Sequence, residues 1–332
     1  MNKEVIETNE TVTVIIPCYN SEGTIYSSLK SLEKQTYKDF KVIIVNDGST
    51  DHTIQEIDRY RQNSSMDIEV YSKPNGGVSS ARNFALSICN TPWISFLDAD
   101  DEYHTQFLET LISGLKNSGK DTIACRYEFV KKHGIPAKSI NQVRKTDKTK
   151  YELLDIYTHH RIEKVNFWGF LYKKSILDEF SIRFPDDIRF GEDTLFICKY
   201  LRHCENGGIF VDETLYKYYV NDSSATHIST YDIVQNIEAQ KRCAAYWKDD
   251  KGYDPAWGRY VVSRAVWAAE KTFAQYSKEN FNKLQREINV KRAMEYMARY
   301  GDEKSIRISA KVYGISPILF YWLIQLYTKI SK

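Results

Sequence analysis

No two of the six cysteines form a Cys-X-X-Cys pair; Cys18, Cys89, Cys125, Cys198, Cys204 and Cys243 are scattered along the chain. This spacing excludes a zinc knuckle and a secreted disulfide framework, so reduced thiols are expected. Charge of one sign is also missing. The 46 Lys and Arg against 44 Asp and Glu leave a net charge of +2, which gives no global attraction to nucleic acid. No GxGxxG follows the first β-rich run, which argues against a dinucleotide oxidoreductase. Nor does any apolar run reach the roughly 20 residues that span a bilayer; the longest, residues 316–330, is broken by Gln325, Thr328 and Lys329. Residues 1–10 are polar and acidic, without a basic start leading into an apolar stretch, so no signal peptide is expected and the reading is cytoplasmic.

What is present fits a globular chain: 332 residues, 42% hydrophobic and 27% charged, allow one large α/β domain with a helical appendage. The 24 Tyr and 6 Trp suit either sugar stacking or core filling. β-rich runs at 11–16, 40–45, 68–71 and 93–97 alternate with helical patterns at 21–35, 51–62 and 78–89, the first carrying Ile25, Leu29 and Leu32 at helical spacing. That alternation predicts a mostly parallel, Rossmann-like central sheet flanked by helices. Further on, 122–130 reads as a strand, 131–150 as a basic, mobile excursion and 151–161 as a helix. Residues 192–201 read as a helix opened by two acids, 208–220 as one or two short strands, and everything from 231 as helical. The expected division is a polar segment 1–10, an α/β domain 11–228 with halves at about 11–101 and 102–228, and a helical region 229–332.

Ligands of such sheets bind beyond the carboxyl ends of the strands. The four exits are polar: Pro17-Cys18-Tyr19-Asn20, Asn46-Asp47-Gly48-Ser49-Thr50-Asp51, Lys73-Pro74-Asn75-Gly76-Gly77 and Asp98-Ala99-Asp100-Asp101. In extended backbone Asp98 and Asp100 point the same way, and two hard oxygen ligands on one side suit Mg²⁺ or Mn²⁺ facing a diphosphate leaving group. Taken alone, the same acids read more readily as a solvated turn that caps the next helix.

The ordered set PCYN, NDGSTD, NGGVSSARN and DADD resembles the family 2 glycosyltransferases of GT-A fold over residues 11–227. The resemblance implies a nucleotide pocket lined by Pro17, Tyr19, Asn20 and Glu22, with Asp47 accepting a hydrogen bond from a base, most often uracil. It assigns Asn75, Gly76, Ser80 and Arg82 to the donor, and Asp98, Ala99 and Asp100 to donor and metal, with His227 closing on metal or phosphate. Phe190-Gly191-Glu192-Asp193 is similar to the family's ED motif, so Asp193 would be the base, while Trp168, Glu192 and Asp101 would face the acceptor. From the residues themselves, Asp51 reads equally as a helix N-cap, Arg82 as half of an internal ion pair and Trp168 as core. Glu192 and Asp193 read equally as complements to a helix dipole.

The implied activity is a metal-dependent, inverting hexosyl- or N-acetylhexosaminyltransferase. It would move a sugar from a UDP-sugar to a hydroxyl of a lipid-linked glycan in bacterial surface polysaccharide or capsule synthesis. The rival is a catalytically inactive nucleotide- or glycan-binding protein on the same scaffold. Lys304, Arg307, Lys311, Lys329 and Lys332 flank the apolar stretch 318–324 with no acid between 304 and 332. That pattern fits a helix lying on the inner membrane face, a helix packed on the chain, or a homo-oligomer contact.

Overall fold

A computed structural model of the protein describes residues 10–130, 144–158, 164–219 and 230–330. The chain divides into two compact units. One takes residues up to Asp186 together with Phe196–Ser224; the other takes Asp187–Leu195 and everything from Ala225.

The first unit is built on β1 (Val12–Cys18), β2 (Phe40–Asn46), β3 (Asp67–Ser72) and β4 (Trp93–Phe96), which pair in parallel in the order β3-β2-β1-β4. All seven residues of β1 are buried, as expected of a central strand covered on both faces. The sheet continues through β8 (Phe170–Lys173), β6 (Thr122–Val130), β9 (Gly208–Tyr219) and β5 (Glu102–Tyr103), with β7 (Lys145–Lys148) on β9. Parallel pairings hold most of the registered residues, so the mostly parallel sheet stands, although β8, β5 and β7 run antiparallel to their neighbours.

The helices α1 (Ile25–Glu33), α2 (Thr53–Gln62), α3 (Val78–Ile88) and α4 (Phe107–Leu115) lie between strands; α1 buries Ile25, Leu29 and Leu32 as its spacing predicts. It starts later than residue 21 because Ser21 and Thr24 close a turn first, the Thr24 N–H donating to Ser21 O. After β7 come α5 (Lys150–Thr158), α6 (Lys174–Glu179) and α7 (Glu192–Arg202). The excursion expected at 131–150 is corrected in its last part: 145–148 is an edge strand whose polar side chains are mostly exposed and whose backbone pairs Asp147 with Ile209. Residues 131–143 lie outside the described residues. Opposite Arg126 the β6–β9 register shifts, so β9 is one bent strand of 12 residues. Phe96 centres the core, within 5.8 Å of the Phe167, Tyr172, Phe184 and Phe196 rings. Most aromatics of this unit are therefore core. All six cysteines are buried and none is in a disulfide.

The second unit holds α8 (Thr230–Trp247), α9 (Pro255–Tyr276), α10 (Lys278–Glu287), α11 (Val290–Tyr300), α12 (Lys304–Ile315) and α13 (Pro317–Ile330). Side chains of Asp254, Ser277 and Asn289 cap α9, α10 and α11. Trp267, Phe273, Phe281, Met294, Met297 and Phe320 build its core. Residues 187–195 belong here because Arg189 N–H donates to Gln235 Oε1 (2.9 Å) and Arg242 pairs with Asp187 (2.8 Å). A sequence boundary at 228/229 misses this segment, whose ties to Gln235 and Arg242 lie far along the chain. Among the described residues no helix is long and apolar enough to cross a membrane.

Candidate active site

The strand order 3-2-1-4 reverses direction between β1 and β4, and such a switch point opens a crevice at the strands' carboxyl ends. Two loops are stapled together on the β1 side. Asn20, at φ +49°, accepts the Thr50 N–H on Oδ1 (2.8 Å) while its own N–H donates to Ser49 Oγ (3.0 Å). Glu22 Oε2 accepts the His52 N–H, and Asp51 accepts the Glu22 N–H. Asp51 also takes the Thr53 N–H at the start of α2, although the N-cap position itself is His52; against a burial cost, the Thr53 and backbone hydrogen bonds hold its carboxyl below the usual range. Pro17 is buried within β1, whereas Tyr19 leaves half of its surface exposed beside the crevice.

Asp47 has several partners within the chain. It is buried; Oδ1 meets Lys73 Nζ at 2.6 Å and the Gly76 N–H at 3.0 Å, and Oδ2 takes the Gly77 N–H at 2.7 Å. The carboxylate thus shapes the Asn75-Gly76-Gly77 turn that leads into α3. Gly48 (φ +76°) permits this closeness, since a Cβ there would stand 2.8 Å from the Asn75 nitrogen. A Cβ on Gly76 would meet Ser80 Oγ at 2.8 Å.

At the β4 exit the backbone is not extended: Asp101 N–H donates to Asp98 O (3.0 Å), closing a turn over 98–101. The expectation that Asp98 and Asp100 share one side of an extended strand is corrected accordingly: both sit in a turn, not in a pleat. Arg82 reaches Asp98 Oδ1 at 2.8 Å while its guanidinium lies 4.6 Å from the Phe167 ring and 5.2 Å from that of Phe184. The internal-pair reading of Arg82 is therefore right, and the pair orients Asp98. Ala99 is buried in the turn.

Asp101 is corrected as an acceptor contact, because it is fully buried and both oxygens are used. Tyr216 OH donates to Oδ2 (2.7 Å) and the Tyr219 N–H to Oδ1 (2.8 Å), tying the turn to β9. Burial first, then Asp98 and Asp100, push its carboxyl well above the usual range. Trp168 is corrected in the same way: it is buried in the turn Phe167–Gly169 and stacks on Tyr216 with centroids 3.8 Å apart. The residues missed by sequence reasoning are Lys73, Phe167, Tyr216, Tyr218, Tyr219 and Phe129. Lys73 had a signal, a lone cation directly after β3; the β9 tyrosines had none that sequence order could pair with Asp101. Phe129 is 62% exposed and its ring meets Tyr218 edge-on at 5.6 Å. The Tyr218 phenol is pushed up to about 12 by burial, then by Asp101, Asp100 and Asp98.

Glu192 and Asp193 sit in the first turn of α7, half-buried, after Gly191 at φ +94°, where a Cβ would stand 2.8 Å from that of Ala239. Asp193 Oδ1 accepts the Thr194 N–H at 2.7 Å. Lys199 and Arg202 in the last turn complete a helix charged along its dipole. His227 lies outside the described residues. Among the described residues no three His, Cys, Asp or Glu are grouped to hold a metal ion. Asp98 and Asp100 are carboxylates, the hard oxygen donors that Mg²⁺ and Mn²⁺ take when phosphate and water complete the shell.

Three comparisons bear on this arrangement. The glycosyltransferase EpsJ of Bacillus subtilis strain 168 is 30% identical over 223 residues, 65% of this chain and 63% of its own length. The poly(ribitol-phosphate) β-N-acetylglucosaminyltransferase TarS of Staphylococcus aureus strain Mu50 is 27% identical over 66% of this chain and 37% of its own length. The chain thus spans less than two thirds of either relative. Crystal structures of S. aureus TarS 1–349 superpose with TM-scores of 0.65 alone (19% identity) and 0.62 with UDP-GlcNAc (20%), each covering 97% of this chain and 92% of the other. A mannosyltransferase from Pyrobaculum calidifontis, solved with GDP-Man and Mn²⁺, superposes at 0.53 with 16% identity over 96% of this chain and 87% of the other. These structural likenesses carry the GT-A-like fold. The glycosyl transferase family 2 model matches residues 13–180, half of the chain and all four parallel strand exits, and the protein belongs to that family.

Proposed function

We propose that the chain is an inverting, metal-dependent transferase that moves a hexosyl or N-acetylhexosaminyl group from a UDP-sugar to a hydroxyl of a glycan in bacterial surface polysaccharide synthesis, with a lipid-linked acceptor. The observation that carries the reading is the carboxylate turn beside the β1–β4 crevice, held by Arg82 on one side and by Tyr216 and Tyr219 on the other. Such fixed placement suits groups that must meet a diphosphate without reorganising.

In this reading Pro17, Tyr19, Asn20 and Glu22 frame the nucleotide, and Asp47 meets the base with the oxygen now shared with Lys73. Asn75, Gly76, Ser80 and the α3 N-terminus face the diphosphate. Asp98, Ala99 and Asp100 hold the donor, and a bound Mg²⁺ or Mn²⁺ would neutralise charge on the leaving group. Asp193 takes the proton of the acceptor hydroxyl, whose oxygen attacks the anomeric carbon as the bond to the UDP oxygen breaks. Glu192 orients that hydroxyl, and the exposed Phe129 ring with Tyr218 offers the acceptor sugar an apolar face.

Calorimetric titration with UDP tests the donor half. Wild type should bind UDP more tightly with Mn²⁺ than with EDTA, and Asp98→Asn and Asp100→Asn should abolish that difference. Equal affinity with and without metal would overturn the metal assignment; no binding of UDP would overturn the donor.

A further inference from the structure

We infer that α13 and the end of α12 form a docking surface for an anionic lipid bilayer. Helix α13 is not simply packed away. Its inner side buries Phe320 and Ile324 in the helical core, and Gln325 donates to Ala274 O at 2.7 Å, which fixes its rotation. The outer side carries Ile318 (69% exposed), Leu319, Trp322 (62%), Leu323, Leu326 and Tyr327 (61%), spaced by three and four residues as one continuous stripe. On the preceding helix α12, Ile308 and Ile315 (77%) are exposed as well. Such a run of large apolar side chains on one face marks an interaction surface, unlike single exposed leucines.

Charge selects the partner. Exposed Lys304, Lys311 and Lys329 accompany the stripe, none of them in an ion pair among the described residues, and no acid occurs between 304 and 332. Over residues 278–332, eleven Lys and Arg stand against five Asp and Glu. A twofold contact between copies would set this basic rim against itself, a repulsive arrangement. A bilayer with anionic headgroups instead takes the apolar side chains at its boundary and the lysines at its phosphates, with Trp322 and Tyr327 suited to the interface. At 14 residues α13 is about 21 Å long, too short to cross and sufficient to lie flat. The inference is independent of the donor or chemistry proposed above.

The test is co-sedimentation of the full chain with phosphatidylcholine vesicles, with and without phosphatidylglycerol, alongside light scattering for mass. Wild type should bind the anionic vesicles at least about tenfold more tightly than the neutral ones, and added salt should weaken that binding. Trp322→Asp combined with Leu326→Asp should lower binding by more than about tenfold with an unchanged melting temperature, since both side chains are exposed. Lys311→Glu with Lys329→Glu should remove the preference for phosphatidylglycerol. Failure of wild type to sediment with anionic vesicles overturns the inference, as does a wild-type dimer that the aspartate pair converts to monomer.

Discussion

Glu270 offers the sharpest quantitative consequence of the helical unit. It lies in α9 with no exposed surface, and neither carboxyl oxygen has a hydrogen-bond partner among the described residues. Burial pushes its carboxyl from 4.5 up to about 8, against a small downward pull from the Gln285 amide. The folded state therefore holds a proton that the unfolded chain releases above 4.5. Stability from this group is complete below that pH and falls as pH rises towards 8. At about 1.4 kcal/mol per pH unit, the cost at pH 7 is about 3 kcal/mol. Glu270→Gln keeps the shape and cannot ionise, so it should be more stable than wild type by about 3 kcal/mol at pH 7 and by only about 1 kcal/mol at pH 5. Urea unfolding followed by circular dichroism over pH 5–8 measures both curves, and their difference removes every other titrating group. Parallel curves would refute the reasoning.

Two further substitutions probe the strand exits. Arg82→Met leaves Asp98 without its guanidinium and should cost about 3 kcal/mol, the low end for a broken buried pair because Asp98 keeps some solvent contact. Thermal unfolding checks the loss, and UDP affinity with Mn²⁺ should fall with it. Gly48→Ala must hold a Cβ at φ +76° against the Asn75 nitrogen and should cost about 1–2 kcal/mol, measurable by urea unfolding.

The parallel half of the fold was legible because its signals are local. The alternation of Val and Ile in β1 and β2 with the spacing of Ile25, Leu29 and Leu32 needs no tertiary information, and the polar exits follow at once. The antiparallel half was less so. β7 has the sequence Lys-Thr-Asp-Lys, and only the β9 backbone makes it a strand. At the site, Asp47 and Asp98 were readable as polar strand ends, but the division of labour, with Lys73 on one and Arg82 on the other, was not. Asp101 resembles its neighbours in sequence and differs through Tyr216 and Tyr219, more than 110 positions away. Trp168 had an aromatic's double reading, which stacking on Tyr216 resolves towards the core. The attachment of 187–195 to the helical unit rests on Gln235 and Arg242, pairings that no local pattern announces.

The most direct test of the proposed chemistry is the rate of UDP release from a panel of UDP-sugars with Mn²⁺, wild type beside Asp193→Asn. Wild type should release UDP measurably and stop with EDTA, and the variant should be slower by about 10²-fold or more with UDP affinity unchanged. Full activity in Asp193→Asn, or release that persists with EDTA, would contradict the proposed chemistry.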